Sequence, residues 1–168
     1  MKRIVADTGP ILHWHEAGAL HLFPLIGKVF LPPPVAAELC AHAPLLWPGL
    51  FPEWAKLQTL SSENQQRARQ WQRAGLLHRG EAEALALALE IKPDWFLTDD
   101  AAARLMAESL GVEVHGSIGM VLWAAAHKLV KKSEAEKHLV GLEQSSLWLS
   151  QKVRIQAHAA LEKLFADD

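Results

Sequence analysis

The sequence predicts an α/β fold: a short parallel sheet of about four to five strands, sandwiched in a three-layer α/β/α arrangement. Two observations carry this. Short apolar runs alternate with helical segments, the pattern of parallel strands joined by helical crossovers. The chain has 168 residues, half of them apolar, enough to bury one core, so residues 1–168 are expected to form a single domain.

Arg3 to Ala6 is expected as a short buried strand. Asp7-Thr8-Gly9-Pro10 has turn and helix-start chemistry, and a helix follows to about Ala17, where Gly18 can end it. Lys28 to Leu31 is the second strand; Pro32-Pro33-Pro34 stops it, and Pro34 can open a helix from Val35 to His42. Residues 43–60 are expected to be irregular, with an extended end at Lys56 to Leu60. Ser62 starts a polar helix to about Ala74, and Gly80 precedes another from Glu81 to Ile91. Trp95 to Thr98 is the third clear strand, Asp100 caps a helix Ala101 to Leu110 that ends at Gly111, and Val112 to Val114 is the next strand. A helix runs from Ser117 to about Leu129. The last two, near Glu134 to Leu142 and Gln151 to Phe165, lie in the C-terminal helical part, residues 133–168.

Seventeen basic against nineteen acidic side chains leave the chain near neutral, so bulk positive charge does not mark it as a nucleic-acid binder. Residues 61–100 hold five basic and seven acidic groups, and residues 120–163 hold seven basic and four acidic. A lone Cys40 excludes a disulfide framework within the chain and fits a reducing compartment. No apolar run reaches the ~18–20 residues of a membrane span, and the N-terminus turns acidic at Asp7, so a cytoplasmic location is expected.

The acids carry the chemistry. Asp7 follows the first strand, and Asp99 and Asp100 follow the third. Right-handed crossovers bring both strand ends to one edge of the sheet, where open α/β folds place their sites. Glu81, Leu85 and Leu89 share one helix face, which puts Glu81 at the end where the core opens to that edge; Glu83 lies about 200° round the helix. Glu38 shares a face with Val35 and His42 in an apolar helix. Converging carboxylates repel one another, and a divalent cation relieves this. Mg²⁺ and Mn²⁺ prefer oxygen ligands and leave positions for water and phosphate, so the set points to metal-dependent phosphodiester hydrolysis.

Four segments resemble the ordered motifs of PIN domains over residues 3–130. They are Ile4-Val5-Ala6-Asp7-Thr8-Gly9-Pro10, Val35-Ala36-Ala37-Glu38-Leu39, Gly80-Glu81-Ala82-Glu83-Ala84, and Leu97-Thr98-Asp99-Asp100 with Arg104 and Gly116-Ser117-Ile118-Gly119. The Gly-Glu-Ala-Glu-Ala segment resembles a VapC-like subgroup. The resemblance implies a PIN-fold, metal-dependent endoribonuclease, the toxin of a toxin–antitoxin pair, with Asp7, Glu38 and Glu81 as catalytic metal-site acids. For the last acid a Thr-x-Asp pattern implies Asp100, whereas an Asp-Asp pair before Arg implies Asp99. Successive residues leaving a strand face opposite ways, so one is expected to bind metal and the other to cap the helix. Glu81 stands where many PIN toxins place Asp, and Thr8 is the candidate for a hydroxyl near the site. The resemblance also implies an RNA substrate, a homodimer and a small antitoxin partner. Arg79 or the basic C-terminal third would steer the RNA backbone.

Other residues are discounted or left open. His13 and His15 point apart on a helix and cannot chelate as a pair, and no zinc-type Cys/His spacing occurs. Cys40 is expected as a small buried hydrophobe. Trp14, Trp95 and Trp123 are expected in the core, Trp71 could go either way, and Trp47, Phe51 and Trp54 could be a protein interface or a cap over the core. GxGxxG, P-loop and GxSxG motifs are absent, which excludes the dinucleotide, ordinary NTPase and serine-hydrolase readings. The alternatives to a ribonuclease are a non-catalytic interaction module on the same fold and a DNA nuclease or phosphohydrolase on the same acidic site.

Overall fold

The central strand β1 (Lys2–Ala6) is buried over Ile4, Val5 and Ala6, as a parallel strand covered on both faces must be. The computed structural model describes residues 1–44 and 51–166. Its other strands are β2 (Gly27–Leu31), β3 (Ala55–Leu57), β4 (Trp95–Leu97) and β5 (Val114–His115). All pairings are parallel, in the order β3-β2-β1-β4-β5, with Val5 opposite Phe30, Ala6 opposite Leu97, and Leu97 opposite His115. The chain therefore winds outward from β1 to β3, then crosses to the other side for β4 and β5. Such a reversal opens a crevice at the carboxyl ends of β1 and β4.

Helices flank this sheet. They are α1 (Thr8–Glu16), α2 (Phe23–Ile26), α3 (Pro33–His42), α4 (Ser62–Arg73), α5 (Arg79–Ile91), α6 (Ala101–Ser109), α7 (Ser117–Ala126), α8 (Lys132–Gln144) and α9 (Gln151–Leu164). Helix α5 packs against α3, α4 and β1, while α7, α8 and α9 pack together and reach α1. The Ala-Leu run of α5 is buried from Ala84 to Ala88, which explains its near-continuous apolar composition; Leu89, expected in the core, is only half-buried.

Several boundaries differ from expectation for local reasons. β5 begins at Val114, two residues late, because Gly111 takes φ +76° and the Val112 N–H donates to the Ala107 carbonyl at 3.0 Å. The chain is still closing the end of α6 at the residue expected to begin the strand. α7 stops at Ala126, not near Leu129, through the same motif: Lys128 takes φ 57°, and the Leu129 N–H donates to the Ala124 carbonyl at 2.9 Å. The expected extended stretch at Lys56 to Leu60 forms β3 one residue earlier and shorter, and the turn Leu20–Leu22 and short α2 were not expected.

Trp14 and Trp95 are fully buried, while Trp123 is half-buried with its edge against Trp95, ring centroids 4.8 Å apart. Trp54 stacks on Phe23 at 4.6 Å, which makes it a cap over the core. Phe51, Trp71 and Cys40 are half-buried against the same core, so Cys40 is less enclosed than expected. Trp47 lies outside the described residues. Among the described residues no helix is long and apolar enough to cross a membrane.

Candidate active site

Asp7 is the first residue beyond β1. Its N–H donates to the Leu97 carbonyl at 2.9 Å, which extends the β1–β4 pairing by one step and sets its side chain beside Thr98. The Asp7 carboxylate caps α1 by accepting from the Thr8 N–H at 2.6 Å, and its other oxygen accepts from the Thr98 hydroxyl at 3.2 Å. Thr98 is fully buried, and its Oγ1 also accepts from the Asp100 N–H at 3.1 Å. One hydroxyl thus joins the two strand ends.

Glu38 enters from α3, which packs on both α1 and α5. The Thr8 hydroxyl donates to Glu38 Oε2. Gly80 makes room for this carboxylate: a Cβ there would stand 2.8 Å from Glu38 Oε1. Glu81, in the first turn of α5, accepts from the His78 N–H at 2.8 Å through Oε2. Glu38 and Glu81 each commit one oxygen to the protein, which fixes the carboxylate and leaves Oε1 for a ligand. Glu83 pairs with Arg79 at 3.5 Å and is absent from the cleft lining, as its position on the helix predicts.

Asp100 caps α6, its Oδ1 accepting from the Ala103 N–H at 2.7 Å. Asp99 accepts from the Ser117 N–H (2.7 Å), the Ser117 hydroxyl (2.5 Å) and His13 Nδ1 (2.7 Å). Of the expected division, the cap falls to Asp100. The expected divergence is not met, because both side chains line the same cleft: the chain has already left the strand at Leu97, so alternation no longer applies.

Asp7, Glu38, Glu81, Asp99 and Asp100 all line this one cleft of about 380 Å³, together with Thr8, Gly9, His13 and the segment Ser146-Leu147-Trp148. Among the described residues no lysine or arginine lines it. Asp7 is 6 % exposed, and its pKa is pushed up to about 7, first by burial and further by the charges of Glu81 and Glu38, against the hydrogen bonds from Thr8 and Thr98. A donor set dominated by carboxylates, with no lysine or arginine beside it, fits a hard divalent cation, Mg²⁺ or Mn²⁺, better than a softer metal.

A family model described as a PIN domain matches residues 3–163. The chain belongs to the PIN domain family. PIN domains are generally metal-dependent nucleases, and the match spans all five acids of the cleft. No curated protein matches the chain.

Sequence reasoning missed several residues of this PIN domain's site. His13 was set aside because it cannot chelate with His15, yet it stands one helical turn after Gly9 on the cleft side and holds Asp99. Thr98 and Ser117, which fall inside motif segments with no role assigned from the sequence, hold acids by side-chain hydrogen bonds. Trp148 is 84 % exposed, and the segment before it is tied down by Glu16, which accepts from the Ser146 N–H at 2.7 Å. It reaches the cleft from residues far along the chain and left no local pattern.

Proposed function

We propose that this PIN domain is a VapC-like endoribonuclease that hydrolyses RNA phosphodiester bonds with Mg²⁺ or Mn²⁺. The observation that carries the reading is the cleft itself: five carboxylates, no lysine or arginine among the described lining residues, and a buried Asp7 whose charge is unfavourable without a cation. Asp7, Glu38, Glu81 and one of Asp99 and Asp100 would hold one or two ions. Bound there, a divalent ion stabilises charge on phosphoryl oxygens and lowers the pKa of an attacking water.

The chain's own residues do the positioning. Thr8 orients Glu38, Thr98 orients Asp7, and Ser117 with His13 fixes the Asp99 carboxylate through three hydrogen bonds. Asp100 has one oxygen on the α6 cap, which leaves Oδ2 for a ligand. The exposed indole of Trp148 at the cleft rim supports single-stranded RNA as substrate, because a base can stack on it. Arg79, largely exposed beside Gly80, would meet the RNA backbone next to the cleft. The toxin role, the antitoxin partner and the homodimer rest on the resemblance of the Gly80-Glu81-Ala82-Glu83-Ala84 segment to VapC-like proteins.

The test is a panel of single-stranded RNA, structured RNA, single-stranded DNA and a small phosphodiester, each with Mg²⁺, Mn²⁺ or EDTA. RNA cleavage that EDTA abolishes supports the reading. Preferential cleavage of DNA or of the small ester moves the activity to another phosphodiester. No turnover of any substrate, together with no Mn²⁺ binding, leaves the non-catalytic module.

A further inference from the structure

Past the far end of α1, about 13 Å of helix from Asp7, a second group of metal-ligating side chains meets. His21 lies in the turn Leu20–Leu22, and Glu134 and His138 lie one turn apart on α8. His21 Nε2 is 3.0 Å and His138 Nε2 is 3.7 Å from Glu134 Oε1, and the three ligand atoms lie within 4.8 Å of one another. Around a tetrahedral ion with bonds of ~2.0–2.1 Å, ligand atoms stand roughly 3.3 Å apart.

The hydrogen-bond partners show what the group lacks. His21 Nδ1 faces the Gly18 carbonyl at 3.1 Å, and His138 Nδ1 faces the Ala17 carbonyl at 3.4 Å. A carbonyl only accepts, so each Nδ1 donates to the backbone, and each Nε2 is the ring atom turned toward Glu134. His21 Nε2 makes a 3.0 Å hydrogen bond to Glu134 Oε1, whereas His138 Nε2, 3.7 Å from the same oxygen, makes none. His138 is 3 % exposed, and its Nε2 is buried with no hydrogen-bond partner among the described residues. A backbone carbonyl on Nδ1 with Nε2 free is also the arrangement that orients a metal-binding imidazole.

We propose that His21, Glu134 and His138 form a Zn²⁺ site separate from the carboxylate cleft, with two imidazole nitrogens and one carboxylate oxygen on the ion. Imidazole donors select zinc over the magnesium suited to the cleft. His21 and Glu134 are half-exposed, so the fourth position opens to water. The ion ties the turn after α1 to α8 and satisfies the orphaned His138 nitrogen.

The experiment uses tag-free, metal-stripped full chain carrying Asp7→Asn, which weakens the cleft as a competitor, and excess Mg²⁺ occupies what remains of it. Zn²⁺ is titrated by calorimetry, and Co²⁺ is followed by its visible absorption. The proposal expects one Zn²⁺ per chain, Co²⁺ bands of a low-symmetry nitrogen–oxygen site, and a Tm raised by Zn²⁺ but not by Mg²⁺. His21→Ala and Glu134→Gln, both at half-exposed positions that the fold tolerates, should each weaken Zn²⁺ binding at least about tenfold. Binding unchanged in both variants, or no stoichiometric binding with all three residues intact, overturns it.

Discussion

The clearest consequence of burying Asp7 among other acids is a stability that depends on pH and on metal. In the metal-free protein its pKa is about 7 when folded, against an ordinary value of 3.8. Below pH ~4 both folded and unfolded chains hold this proton. Between ~4 and ~7 the unfolded chain releases it while the folded chain keeps it, so stability falls by about 1.4 kcal/mol per pH unit. Above ~7 both are ionised and the loss levels off, at about 4 kcal/mol in all, or roughly 10 °C in Tm for a chain of this size. Asp7→Asn removes the titration yet keeps the α1 cap, since Asn caps nearly as well as Asp. Urea unfolding of both proteins in EDTA across pH 4–8 isolates Asp7 and its coupling to Glu38 and Glu81, because the titrations of groups not coupled to Asp7 cancel in the difference. Asp7→Asn should gain on wild type steadily from pH 4 to 7 and hold the gain above it. Saturating Mn²⁺ at pH 8 should stabilise wild type and leave the variant unmoved. A difference that stays flat across this range refutes the reasoning.

Three further outcomes follow from the same cleft. Glu81→Gln keeps the hydrogen bond from the His78 N–H, so chemical denaturation should show less than about 1 kcal/mol of change, while RNA cleavage falls at least about a hundredfold. Gly80→Ala places a methyl 2.8 Å from Glu38 Oε1, so Glu38 must swing off its Thr8 contact; cleavage should fall at least about tenfold with a far-UV CD spectrum like that of wild type. Trp148→Ala removes an exposed side chain, so Tm should not move, and RNA affinity measured by anisotropy should weaken by about 1–3 kcal/mol.

What the sequence revealed about this site depended on distance along the chain. Asp7, Asp99 and Asp100 were legible because they directly follow strands, and strand ends in a parallel sheet share an edge. Glu81 was legible from its spacing to Leu85, and Glu38 from its motif, with Gly80 completing the pair by leaving space for its carboxylate. The hydrogen bonds that hold these acids were not legible, since Ser117 reaches Asp99 from a helix eighteen residues later and His13 reaches it across eighty-six. Lys128 hid the end of α7 by taking a conformation usually given to glycine, so no glycine marked the stop. The histidine cluster was invisible because His21 and Glu134 lie 113 residues apart and meet only once α8 packs beside α1.

The most direct measurement is the rate of single-stranded RNA cleavage by wild type and Asp7→Asn across a Mn²⁺ titration. The account predicts a wild-type rate that rises with Mn²⁺, saturates and vanishes in EDTA, and a variant rate at least about a thousandfold lower at every concentration. Equal rates for the two proteins would contradict it.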